Sequence, residues 1–157
     1  MLNKIKKDNK GFTIIEVLIV LAIAGLIMLT VFLAVPALQR SSRNTQREAD
    51  ATKVSAAMAA CLANRNGTVT SCDSSGELVS SGGLDLTKLQ QLTTINYVTG
   101  GIIGAPTDNK TISFGFGSKC KTEGDTAIQS SSTRQGAMVY RIELANATTV
   151  SPRCLDV

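Results

Sequence analysis

From Val17 to Leu38 the chain reads VLIVLAIAGLIMLTVFLAVPAL, an uncharged run with apolar side chains on every side of a helical wheel. As a helix this run spans about 33 Å, enough to cross a hydrocarbon layer about 30 Å thick. A helix that is hydrophobic all round sits in lipid or is enclosed by other apolar helices. From Ser41 the chain turns polar while the helical period persists. Ala51, Val54, Met58, Cys61 and Leu62 recur at three- and four-residue steps and form one apolar face. Asn64-Arg65-Asn66-Gly67 supplies a stop, with glycine just past the last periodic residue. The pattern predicts one helix from Phe12 to Arg65, about 80 Å long, whose second half packs beneath a globular head.

Beyond that helix the periods shorten. Thr68 to Gly83 is rich in Ser, Gly and Thr and predicts a surface loop; Asp85 to Leu92 predicts a short helix. Strands are expected at Ile95–Val98, Thr111–Phe116 and Ala137–Leu144. In the last of these, Met138, Tyr140, Ile142 and Leu144 point to one side, and Arg141 and Glu143 point away. The expected fold class is α+β: a long N-terminal helix laid on a small antiparallel sheet, which buries both apolar faces. Tyr97, Phe114, Phe116 and Tyr140 are the aromatics available to that head, so its core is modest.

Charge changes this picture mainly at one end. Of the formal +4, Lys4, Lys6, Lys7 and Lys10 against Asp8 place +3 in the first eleven residues. The body is therefore close to neutral, and DNA binding, though allowed, is not indicated. Arg40, Arg43 and Arg47 lie near one helix face, but Glu48 and Asp50 follow closely, which points to a solvated or subunit-facing surface. The lysines before the apolar run favour an N-in, C-out orientation; Arg40 and Arg43 after it weaken that preference without reversing it.

Candidate chemistry is sparse. Histidine is absent, which removes the usual general base and metal ligand. Gly100-Gly101 and Gly115-Phe116-Gly117 complete no phosphate-binding motif, and Ser118-Lys119-Cys120-Lys121 fits S-x-x-K without its companion motifs. Asn66, Asn109 and Asn146 each begin an N-x-T pattern. The expectation is a non-catalytic chain with no cofactor and no metal. Cysteines stand at 61, 72, 120 and 154 with no C-x-x-C pair. An even count beyond a membrane helix predicts two disulfides in an oxidising compartment, in one of three connectivities. Cys61–Cys72 is preferred because it ties the helix end to the following loop.

One charged residue stands out of place. Glu16 lies inside the apolar block after Phe12-Thr13-Ile14-Ile15, and a carboxylate at mid-bilayer depth costs about 2.5–3.5 kcal/mol. A partner is expected. A cut after Gly11 creates an α-amine on Phe12, four residues before Glu16 and on the same helix face. The first helical turn also favours an acid. The same residues leave open whether amine and acid meet within one chain or between two. Plainer readings are a single-span anchor with a soluble head, and a secretory signal cut after Val35-Pro36-Ala37 to release a chain starting at Leu38. Against the latter, the apolar run is about twice the usual length of roughly 7–15 residues.

Lys10-Gly11-Phe12-Thr13-Ile14-Ile15-Glu16, with the short basic leader before it, resembles the type IV prepilin signature; Gly25 also falls where pilins commonly carry glycine. The resemblance covers about residues 1–60 strongly and the rest in general layout. It implies a leader at 1–11, a transmembrane and filament-core half helix at 12–40, and an extracytoplasmic head at 41–157. It implies that a prepilin peptidase cuts between Gly11 and Phe12, that Phe12 is N-methylated, and that Glu16 pairs with the amine of a neighbouring subunit. The implied partners are identical or minor pilins and an assembly platform in the inner membrane. That membrane holds the precursor, and the extracellular pilus holds the product. The tasks implied are adhesion, twitching motility or DNA uptake. Alternatives are a pseudopilin of a type II secretion or competence system and an anchored binding protein that never polymerises. A Cys120–Cys154 bridge resembles the disulfide-bounded C-terminal region of many pilins. One departure stands: pilins often carry proline where this chain has Leu33, whereas here it is Pro36, which removes a helix hydrogen bond at a different place.

Overall fold

The computed structural model describes residues 11–99, 102–121, 127–129, 134–144 and 150–157. The expected leader as far as Lys10, the Gly100-Gly101 pair and the pattern at Asn146 lie outside the described residues. Helix α1 spans Ile14–Asn64, close to its predicted bounds, and continues through Pro36. The chain divides into two compact units, Met1–Leu38 and Gln39–Val157.

In the first unit every side chain from Gly11 to Leu38 is exposed. The most apolar 18-residue window of α1 has a mean hydropathy of 3.0, and none of it is buried within the protein. The hydroxyl of Thr30 in this stretch is satisfied locally, as an apolar phase requires. Thr30 donates its hydroxyl to the Ile27 carbonyl at 2.8 Å. By length and composition this is a helix able to cross a membrane.

In the second unit α1 buries one stripe: Arg47, Asp50, Ala51, Val54, Ala57, Met58 and Cys61. Their three- and four-residue steps hold one face against the head. The helix ends because Asn66 (φ 52°) and Gly67 (φ 77°) turn left-handed, and Gly67 N–H then caps the Leu62 carbonyl at 2.7 Å. A short helix, α2 (Ser75–Ser80), follows inside the segment expected to be a plain loop; Ser74 starts it by accepting from Glu77 N–H. At Gly82 an added Cβ would strike the carbonyl oxygens of Ala57 and Leu78, so the absence of a side chain lets this loop lie directly on α1.

Strands β1 (Thr94–Tyr97), β2 (Thr111–Phe116), β5 (Gly136–Glu143) and β6 (Val150–Asp156) form one sheet in the order β1-β2-β5-β6. Strands β3 (Ser118–Cys120) and β4 (Ala127–Gln129) form a separate two-stranded ribbon. The fold class is α+β, but the sheet is mixed. β1 runs parallel to β2 with Ile95 opposite Ile112, while β2–β5 and β5–β6 are antiparallel. Residues 98–110 provide the long connection that a parallel pair demands.

The sheet has two buried faces. Ile112, Phe114 and Phe116 of β2 and Met138, Tyr140 and Ile142 of β5 join Val54, Ala57 and Met58 of α1 in the main core, with Leu78, Leu84, Leu89 and Leu92 closing it. Phe114 is fully buried, 5.3 Å from the Tyr97 ring and edge-on to Phe116. Ala137 and Val139 face the other way, where Ile103 of the β1–β2 connection covers them. Disulfides join Cys61 to Cys72 and Cys120 to Cys154, across separations of 11 and 34 residues. Loop-closure estimates put their contributions at about 3 and about 4 kcal/mol.

Candidate functional site

The first helical turn carries the chemistry that the sequence singles out. Thr13 sits just outside α1 and caps it: its hydroxyl accepts from Glu16 N–H at 3.3 Å. In return Glu16 Oε2 accepts from Thr13 N–H at 2.9 Å and from the Thr13 hydroxyl at 2.8 Å. This is a reciprocal capping box, in which two otherwise orphaned N–H groups are satisfied by two side chains. Its signature, Thr-x-x-Glu before an apolar run, is plain in Thr13-Ile14-Ile15-Glu16.

The box also settles what lies outside the helix. The Gly11–Phe12 bond precedes the cap and has no regular structure. Phe12 is 89% exposed, and nothing lies within 4 Å of where a Gly11 side chain would project. An uncovered peptide bond outside a helix can enter a protease cleft, which a helical one cannot do without unwinding. Phe12 lies outside α1 and lines one shallow apolar hollow with Glu16, Val17, Val20 and Leu21, and the partner that Glu16 has here is Thr13.

In the head, of the solvated or subunit-facing surface expected of the arginine region, the solvated reading fails at Arg47. Arg47 is buried at 3% exposure and Arg43 is half-buried, because Glu143 at the end of β5 reaches both. Arg43 Nη2 and Arg47 Nη2 each stand 2.6 Å from a Glu143 carboxylate oxygen. Asn44 clamps the Glu143 backbone, with Oδ1 accepting its N–H and Nδ2 donating to its carbonyl. Glu143, expected to point away from the helix, is thus turned onto α1. The Arg43 hydrogen bond, working against burial and helped by Arg47, holds its carboxyl down at about 2.

Asp50 forms a second anchor. Its Oδ2 accepts the backbone N–H groups of Gln90, Gln91 and Leu92 at 2.7–3.1 Å, and its Oδ1 accepts from Lys53 Nζ at 3.0 Å. Burial alone would raise the Asp50 carboxyl, but the donors at Gln91, Leu92, Lys53 and Gln90 outweigh it and keep it below the usual value. These three N–H groups are the ones that a helix over Asp85–Leu92 would direct to its own carbonyls. The predicted helix accordingly shrinks to one 3₁₀ turn at Leu86–Lys88.

The remaining candidates resolve as structure. Ser118 is buried at the start of β3 and Cys120 is disulfide-bonded, so S-x-x-K forms no exposed nucleophile. Asn66 ends the helix, and the Asn109 carbonyl accepts from Arg47 Nε at 3.1 Å. Among the described residues no group of three or more His, Cys, Asp or Glu side chains could hold a metal ion.

An exposed apolar helix with an acid-bearing, capped first turn, together with a disulfide-linked α+β head, makes a pilin-like fold with one helix long and apolar enough to cross a membrane. Residues 6–32 match the family model of the prokaryotic N-terminal methylation motif. That match supports a type IV pilin-like or pseudopilin precursor and implies processing by a prepilin peptidase followed by polymerisation. No curated protein and no solved structure matches the chain.

Proposed function

We propose that the chain is the precursor of a structural subunit of a type IV pilus. It sits in the inner membrane as a single-pass protein, N-in, until a prepilin peptidase hydrolyses the Gly11–Phe12 bond. Water then supplies the new Gly11 carboxylate and Phe12 amine, and a sulfonium methyl donor methylates that amine. Glu16 of one subunit meets the amine of its neighbour as the subunit leaves lipid for the filament core. The chain is a substrate of processing enzymes and not itself an enzyme. Its finished filament serves adhesion, twitching motility or DNA uptake.

The observation that carries this reading is one constellation: an uncovered bond at Gly11–Phe12, the acid Glu16 shortly after it, and an apolar half of α1 exposed from Ile14 to Leu38. A helix that is 0% buried over its most apolar window must be covered by something other than its own head. Lipid covers it first and sister helices afterwards.

Glu16→Ala tests the pairing. The variant inserts into the membrane as well as wild type or better, because a desolvated carboxylate has been removed. Its filament yield, measured by shearing and sedimentation, falls below a tenth of wild type. Normal filaments from Glu16→Ala would show that the acid has no assembly role.

A further inference from the structure

Glu16 enters the apolar phase in the uncut chain, when Phe12 still carries an ordinary peptide N–H in place of an α-amine. A carboxylate in hydrocarbon without a hydrogen-bonding partner is costly. Among the described residues the partner present at that stage is Thr13, whose N–H and hydroxyl both converge on Oε2. The other oxygen, Oε1, takes no hydrogen bond from any described residue.

Capping α1 needs only the hydroxyl as acceptor for Glu16 N–H. The hydroxyl's own hydrogen does something further: it fixes which carboxylate oxygen is engaged and which is free. Hydrolysis between Gly11 and Phe12 leaves the Phe12–Thr13 peptide intact, so Thr13 keeps the same N–H and hydroxyl after the cut. The box is therefore available before and after processing. The amine of an arriving subunit finds an acid already oriented, with one unoccupied oxygen.

We infer that Thr13 is a positioning residue for assembly: it holds Glu16 through Oε2 in both precursor and product, and presents Oε1 to the amine of a second copy of this chain. This rests on the filament reading above and adds to it the side chain that prepares the acid. An acid free to sample its rotamers loses that freedom on pairing; one already held loses less, and association is favoured accordingly.

The full-length chain, produced with a prepilin peptidase, tests this through Thr13→Val and Thr13→Ser. Valine keeps the branched shape and the peptide N–H but has no hydroxyl; serine restores the hydroxyl without the methyl. Two quantities are read for each variant: the N-terminus of the processed chain, and filament yield per processed chain. The expected result is cleavage at Gly11–Phe12 in all three proteins, a filament yield for Thr13→Val lower by about tenfold, the size of one charge-assisted hydrogen bond, and recovery in Thr13→Ser. Equal yields for Thr13→Val and wild type overturn the inference. So does a loss of equal size in both variants, because serine carries the hydroxyl that the inference holds to be sufficient, and so does failure of Thr13→Val to be cut, which would place Thr13 at the peptidase step. Should wild type itself remain uncut or form no filaments, the parent reading falls; should wild type assemble and Thr13→Val match it, only the role of Thr13 falls.

Discussion

The two halves of α1 use one backbone conformation for opposite ends. Between Ile14 and Leu38 the helix is apolar on all sides and exposed on all sides. Between Gln39 and Asn64 it buries a single stripe against a sheet and leaves the rest polar. The first half cannot reduce its apolar exposure by any fold of its own, so its stability is a property of the phase or assembly around it. The second half is stabilised within the chain, by a small core, two disulfides and two acids, Asp50 buried and Glu143 partly buried, that each hold distant segments. The contrast teaches where information for assembly and information for folding are kept, and the halves should respond differently to the same substitution.

Phe114→Ala and Leu26→Ala make that comparison with the largest effect. Phe114 is fully buried against Tyr97 and Phe116, and its truncation should lower head stability by about 3–5 kcal/mol. Leu26 is 66% exposed, and its truncation should shift the same unfolding transition by less than about 0.5 kcal/mol. Urea unfolding of the full-length protein in detergent, followed by near-ultraviolet circular dichroism, measures both. A comparable loss for the two would dissolve the distinction between the halves.

Next in size is Asp50→Ala, which strands three backbone N–H groups at Gln90, Gln91 and Leu92 and should cost about 3 kcal/mol. Faster amide exchange confined at first to those three residues would sharpen the assignment. Unchanged exchange there would show that the loop holds itself.

The smallest effect is the acid response. Glu143 titrates at about 2 in the fold against an ordinary value of 4.5, and Asp50 is lowered as well. A depressed carboxyl contributes stability that is fully present above its unfolded value and is lost as pH falls through its folded value. The head should therefore be most stable above about pH 4.5 and weaken progressively towards pH 2. After allowance for screening at a partly exposed pair, about 2 kcal/mol of that loss belongs to Glu143. Glu143→Gln should flatten the slope of unfolding midpoint against pH over this window, and an unaltered slope would remove Glu143 from the account.

What could be read from sequence follows the same division. The first half of α1 needed only a run of uncharged residues to be recognised, and β2 and β5 showed themselves by alternation. Features that depend on remote partners stayed hidden. Arg47 looked solvated because nothing local announces Glu143, nearly a hundred residues later. Asp85–Leu92 looked helical because its period is helical, yet Asp50 captures the N–H groups that the helix needed. β6 went unseen because Pro152 and Arg153 interrupt its pattern, although an edge strand tolerates proline. The parallel sense of β1 is set by a long connection, not by any periodicity. In the candidate site, Gly11, Phe12 and Glu16 are proposed from their order along the chain. Thr13 was legible as a capping residue, and was missed because the acid was expected to wait for an amine.

The central claim is that an acid in the apolar helix is placed to meet an amine released at Phe12. The most direct measurement is the mass of the mature chain's N-terminal peptide, taken from sheared filaments. The account predicts a chain that begins at Phe12 and carries one added methyl group on its amine. A chain that retains Lys4 to Lys10, or one that begins at Leu38, would contradict it.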